Sequence, residues 1–208
     1  MKIKLHDIGK RFGKHWLFKG ISAEITSGDR VGITGINGSG KSTLLQIAAG
    51  ISQPSAGKVE YYGNGLNSAD ELAGQLAMIS PYMDLPEQLK LAELYKFHQK
   101  FIAMKPTVDL GKFCSITLLE NKQDHLVKSF SSGMKQRLKL GLAFLSEAKV
   151  LMLDEPCSNL DEAGKRLYKE LITEYGKERM ILIASNEKET ELFGLTNTID
   201  IMDYKPLH

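Results

Sequence analysis

From Gly35 to Ser42 the chain reads Gly-Ile-Asn-Gly-Ser-Gly-Lys-Ser, which meets G-x-x-x-x-G-K-[ST] at every fixed position. Glycines at that spacing let the backbone curl so that several N–H groups point inward at one phosphate. Gly35, Asn37, Gly38, Ser39 and Gly40 are therefore candidate phosphate-cradling positions. A helix beginning near Lys41 adds the positive end of its dipole. Lys41 is of the right type and place to reach the outer phosphates, and the Ser42 hydroxyl to ligate Mg²⁺. Thr43 is placed to offer its hydroxyl or N–H to the innermost phosphate.

A second constellation lies far downstream, where Val150-Leu151-Met152-Leu153 runs into Asp154-Glu155. Active groups of open α/β sheets gather at the carboxyl ends of strands. Asp154 is suited to hold Mg²⁺ through water, and Glu155 to polarise a water against a terminal phosphate as general base. Alone, two acids beyond a strand are an ordinary exposed turn; with the phosphate loop upstream they read as its chemical partner.

The elements required to position these groups are legible. Arg30-Val31-Gly32-Ile33-Thr34 reads as a short buried strand leading into the glycine loop, and Thr43 to Ala49 as a helix that Gly50 can stop. Ile3 to Ile8 and Ile21 to Ile25 alternate like half-buried strands. Strand character returns at Val150 to Leu153, Ile181 to Ala184 and Ile199 to Met202, with a helix from about Glu162 to Tyr175 between the first two. From Leu85 to Leu145 leucines and aromatics recur at helical spacing, notably over Leu89 to Ile102 and Met134 to Leu145. The expected architecture is an α/β phosphate-loop core, with a mainly parallel sheet covered by helices and an N-terminal antiparallel β portion, plus an inserted helical lobe. As a single domain over 1–208, the core takes 1–80 and 148–208 and the helical lobe 81–147.

Composition narrows the function classes. Of 208 residues, 42% are hydrophobic and 25% charged, which supports a packed core and argues against disorder. A formal net charge of +2, with no basic block, gives no reason to expect a nucleic-acid partner. The N-terminal Met1-Lys2-Ile3-Lys4-Leu5 is too interrupted by charge for a signal-peptide core. The longest apolar runs are strand length and far short of a membrane span. The expectation is a cytoplasmic protein. Cys114 and Cys157 stand far apart and read as reduced packing residues.

Together these residues resemble the ATP-binding cassette (ABC) family over nearly the whole chain. Asn37-Gly38-Ser39-Gly40-Lys41-Ser42-Thr43 is similar to its phosphate loop, and Phe130-Ser131-Ser132-Gly133-Met134-Lys135-Gln136-Arg137 to its signature motif. Ser158-Asn159-Leu160-Asp161 resembles the D-loop and places Asp161 with the catalytic groups. The resemblance implies ATP and Mg²⁺ as ligands, a head-to-tail homodimer sandwiching two ATP molecules, and Ser131 and Gly133 reaching the γ-phosphate bound by the other subunit. It also implies that Phe12 stacks on adenine; core packing is the competing reading of that ring.

Three departures accompany the resemblance. Where the family carries a glutamine facing Mg²⁺ and water, the chain reads Ser80-Pro81-Tyr82-Met83-Asp84, so either an extra water or Ser80, Tyr82 or Asp84 must substitute. Where the family carries a switch histidine, within Ile183 to Glu187, Asn186 can donate a hydrogen bond but cannot carry positive charge. Ser132 and Met134 replace the commoner glycine and glutamine, a variant resembling cassettes of type-2 exporters. The implied function is the ATP-hydrolysing subunit of an exporter, peripheral on the cytoplasmic face of the membrane. It would power a separate transmembrane permease, received in a groove near Tyr82 to Leu94, where Met83, Leu85, Leu89 and Leu91 form either an apolar docking surface or simply core of the helical lobe. The alternatives are a soluble cassette acting on nucleic acid or ribosomes, and a regulatory module with weak hydrolysis.

Overall fold

A computed structural model describes residues 1–63, 65, 68–186 and 190–206. The N-terminal portion is an antiparallel sheet of β1 (Lys2–Phe12), β2 (His15–Thr26) and β4 (Ala56–Tyr62), with β1 in the middle. β1 and β2 form a long hairpin closing at Phe12↔His15, with register shifts between Leu5 and Arg11. Both strands run further than their alternation predicts, because those bulges break the apolar/polar rhythm while pairing continues. The strand Ala-Gly-Lys-Val-Glu-Tyr-Tyr of β4 is not among those expected; only Val59 and Tyr61 turn to the core, too short an alternation to mark it.

The second sheet is wholly parallel, in the order β5 (Leu76–Ile79), β6 (Val150–Asp154), β7 (Met180–Ala184), β3 (Arg30–Thr34) and β8 (Asn197–Asp200). Its central strands read as unbroken apolar runs because both faces are covered. Alternate residues serve different cores. Leu151, Leu153, Ile181 and Ile183 face a cluster with Phe113, Leu138, Phe144 and Tyr168. Val150, Met152, Met180 and Leu182 face another with Ile3, Phe18, Ile21, Leu44 and Leu45. The period of two thus places one sheet between two hydrophobic layers.

The expected strand over Ile199 to Met202 is corrected. It stops at Asp200, and Ile201–Tyr204 is a 3₁₀ turn whose Met202 N–H donates to the Asp200 carboxylate at 2.9 Å. The Asx-type bond competes with the sheet ladder and wins at its edge. Helices are α1 (Lys41–Ala48), α2 (Ala69–Ala73), α3 (Leu91–His98), α4 (Leu110–Ile116), α5 (Ser132–Phe144) and α6 (Glu162–Glu174). Among the described residues every strand lies before residue 80 or after residue 149, and α3, α4 and α5 fall in between.

Candidate functional site

The phosphate loop follows β3 directly and opens α1, in the order its chemistry requires. Gly35 has φ 140°, and a Cβ there would lie 2.6 Å from the Ser39 hydroxyl, so only glycine allows the loop to fold over itself. Gly40 has φ 115°, and a Cβ there would meet Leu17 at 2.7 Å, which fixes the loop against β2. α1 has neither a side-chain N-cap nor an acid in its first turn, leaving its N–H groups to whatever enters the loop. The Lys41 ammonium, almost fully buried, donates to the Gly35 and Ile36 carbonyls at 3.0 and 3.2 Å.

β6 delivers Asp154 beside α1. The Ser42 hydroxyl donates to Asp154 Oδ1 at 2.9 Å across 112 residues of chain. Asp154 is only 2% exposed, and that burial raises its carboxyl above the ordinary value, with the Glu155 charge adding to the effect. The Ser42 hydroxyl bond, Lys41 and Ser80 oppose the rise. No cluster of three His, Cys, Asp or Glu occurs among the described residues. The paired Ser42 and Asp154 offer one hydroxyl and one carboxylate, a set that suits Mg²⁺, which keeps waters and phosphate oxygens around one or two carboxylates. A cation there would also neutralise the charge that burial disfavours. Glu155 follows with φ 45°, a left-handed conformation rare for a side-chain-bearing residue, and donates its N–H to the Ala184 carbonyl at 2.9 Å. Strain of this kind persists where surrounding contacts over-determine it.

One cavity of about 600 Å³ gathers Phe12, Asn37, Gly38, Gly40, Lys41, Ser42, Thr43, Asp154 and Glu155, with Pro81 and Tyr82 on its wall. Phe12, at the hairpin end, is 61% exposed, so the core-packing reading of this ring is set aside. Of the three candidate substitutes for the missing glutamine, Ser80 is buried and acts on Asp154, and Tyr82 stands fully out over the cavity. Asp84 instead lines a different groove, beside Lys139.

The remaining candidates lie elsewhere. Asn186 donates to the Asn37 side chain from the outer side of the loop, lining a second cavity with Thr34 and Gly35. Its neighbour Glu187 lies outside the described residues. Ser131 caps α5, accepting from Met134 N–H at 3.2 Å, and Asp161 caps α6, accepting from Gly164 N–H at 2.9 Å. Neither Ser131, Gly133 nor Asp161 lines the phosphate cavity of its own chain. Gly133 backs onto the Asn159 carbonyl at 3.1 Å from its Cβ position, and buried Gln136 donates to the Pro156 carbonyl at 2.7 Å. The signature segment is thus tied to the turn that follows Glu155. Gln136 carried no assigned role in the sequence, although its place in Lys135-Gln136-Arg137 offered the signal.

A separate groove of about 250 Å³ is lined by Met83, Leu85, Pro86, Phe97, Phe101 and Ile102. The two readings of the leucines divide here: Leu91 is fully buried and Leu89 packs against the core, Met83 and Leu85 line the groove, and Phe97 and Phe101 stand exposed in edge-to-face contact. No helix among the described residues is long and apolar enough to cross a membrane. Both cysteines are buried, and neither forms a disulfide among the described residues.

The profile of the ABC transporter family matches residues 18–158, more than half of the chain. The bacitracin transport ATP-binding protein BcrA of Bacillus licheniformis is 30% identical over 182 residues, covering 87% of this chain and 60% of that protein. The sn-glycerol-3-phosphate import ATP-binding protein UgpC of Paracoccus denitrificans is 34% identical over 164 residues, covering 77% and 46%. The chain therefore spans roughly half the length of these relatives. A solved ATP-binding subunit of an ABC transporter superposes with TM-score 0.82 at 23% identity, over 96% of this chain and 85% of that one. By its profile and its phosphate-loop architecture, the chain belongs to the ABC transporter family as an ATP-binding domain.

Proposed function

We propose that the chain is the ATP-hydrolysing subunit of an exporter, working as a head-to-tail homodimer on the cytoplasmic face of a membrane beneath a separate permease. The observation that carries hydrolysis is the Ser42–Asp154 contact at 2.9 Å with Lys41 and Glu155 on the same cavity. In this reading the backbone of Gly35 to Gly40, with Asn37 and Ser39, cradles the phosphates, Thr43 meets the innermost one, and Lys41 the outer two. Mg²⁺, held by Ser42 and through water by Asp154, would neutralise developing charge on the phosphates. The Glu155 carboxylate accepts a proton from the water that attacks the γ-phosphorus, and ADP leaves. Phe12 stacks on the adenine.

Ser131 and Gly133, absent from their own chain's cavity, serve the ATP of a second copy, with Asp161 at the shared seam. The core comprises 1–80 and 148–208 and the signature lobe 81–147, a division supported by the confinement of strands to the former. The permease contacts the groove of Met83, Leu85, Phe97 and Phe101. Export is favoured by Ser132 and Met134 in the signature; the relatives include both a bacitracin transport protein and an import protein.

Pro81 and Asn186 favour a second reading, a regulatory ATP-binding module with weak turnover, since neither supplies what the family's glutamine and histidine supply. Mg-ATP hydrolysis measured across a protein concentration series decides between them. Turnover rising more steeply than concentration, and falling on the order of 10²–10⁴-fold in Glu155→Gln with ATP binding retained, is the expected result. Tight ATP binding with no turnover by the unaltered chain would favour the regulatory module.

A further inference from the structure

We propose that Glu191 is a positioning residue that sets the separation between the turn carrying Glu155 and the segment carrying Asn186. The inference rests on the ATPase reading for its consequence and on geometry of its own for its existence. Glu191 lies beyond the residues matched by the family profile and is 3% exposed. One carboxylate oxygen accepts the Cys157 N–H at 2.5 Å, and the other accepts the Ser185 hydroxyl. Its backbone carbonyl accepts the hydroxyl of fully buried Tyr168 at 2.8 Å, which pins the residue to α6.

Both gripped groups sit next to the proposed chemistry. Cys157 is two residues past Glu155, inside a turn closed by Ser158 N–H donating to the Glu155 carbonyl at 3.0 Å. Ser185 immediately precedes Asn186 and donates its N–H to the Ile33 carbonyl of β3 at 3.1 Å. Asn186 in turn holds Asn37 of the phosphate loop. A continuous path of bonds therefore runs from the phosphate loop through Asn186, Ser185 and Glu191 to the acidic turn. Glu155 adopts a strained φ of 45°, a conformation that requires restraint from its neighbours. A tie meant only for stability needs no carboxylate, whose desolvation is unfavourable, whereas two oxygens on one planar group fix two partners at once.

Glu191→Gln retains volume but replaces two charge-assisted bonds by neutral ones, and the Ser185 hydroxyl must reverse to accept from the amide nitrogen. In that variant kcat should fall on the order of 10- to 100-fold with KM for ATP within about twofold. Amide hydrogen exchange should accelerate together in peptides covering 154–160 and 180–186. Ser185→Ala removes one arm alone and keeps the test open should Glu191→Gln fail to fold. The double variant Ser185→Ala/Glu191→Gln should lose little more than the worse single one, because both act through one clasp. A lowered melting temperature with unchanged kcat, or additive losses, would overturn the positioning role. If the unaltered chain hydrolyses no ATP, the ATPase reading is overturned instead. Exchange then decides on Glu191: acceleration in both segments supports the clasp, and unchanged protection in either one refutes it.

Discussion

Because Phe12 ends β1 with 61% of its surface exposed and yet lines the cavity of the phosphate loop, its replacement by alanine should separate binding from folding. Little core packing is lost, so stability should move by no more than ~0.5 kcal/mol, or about 2 °C in melting temperature for a chain of this size. Lys10 lies 5.6 Å over the ring, but its ammonium is already held by the Gln53 carbonyl at 2.6 Å and the Ser52 hydroxyl at 3.0 Å, so it stays in place. Stacking of a base on an aromatic side chain is worth about 1–3 kcal/mol by alanine substitution. At about 1.4 kcal/mol per decade, Phe12→Ala should raise the Kd for ATP by about 5- to 150-fold. Isothermal titration with ATP, and with inorganic triphosphate as the ligand lacking a base, provides the assay. The triphosphate affinity should be unaltered, and Phe12→Tyr should restore ATP binding. Phe101→Ala, in the other groove, should leave both affinities alone. A Kd for ATP within twofold of the unaltered protein, or equal weakening toward triphosphate, would refute the stacking argument; a melting temperature lowered by many degrees would return Phe12 to a structural role.

Asn186→His supplies a group that can carry positive charge beside Asn37, and ATP turnover should increase several-fold, about 1 kcal/mol of transition-state stabilisation; an unchanged or slower enzyme would remove residue 186 from the chemistry. For Asp154→Asn the sign follows from its raised carboxyl pKa, caused first by desolvation. Between the ordinary and the raised value the folded chain holds a proton that the unfolded chain has lost, so stability conferred at low pH disappears as pH rises through that window. In metal-free buffer the asparagine variant should melt above the unaltered protein at pH 7, by about 2–4 °C for each kcal/mol of relief, with the two curves converging toward pH 4. It should also lose stabilisation by Mg²⁺. A variant that melts lower at every pH would show that the carboxylate is not a burden in the fold.

What could be read from the residues, and what could not, divides by the range of the interactions. The loop from Gly35 to Ser42 was legible because its demands are local: positive φ at Gly35 and Gly40, a strand before and a helix after. The strands Arg30–Thr34 and Met180–Ala184 follow from short apolar runs, and the helix starting at Glu162 from its period. Leu89 and Leu91 carry the same residue type as Leu85, yet only packing of the whole lobe decides that Leu91 is core and that Phe97 and Phe101 face outward. The role of Phe12 turned on exposure, which depends on where a hairpin points. Glu191 was invisible for a stronger reason. In the polar stretch Asn186-Glu187-Lys188-Glu189-Thr190-Glu191 one glutamate among three reads as solvated surface, and its partners are supplied 34 residues upstream by Cys157 and six residues upstream by Ser185. Groups that touch phosphate must be of particular types at particular spacings, and so leave a pattern. Groups that hold those groups apart need only arrive at the right place, and any buried carboxylate with two donors will serve, which is why the positioning layer of such a site has to be read from the folded chain.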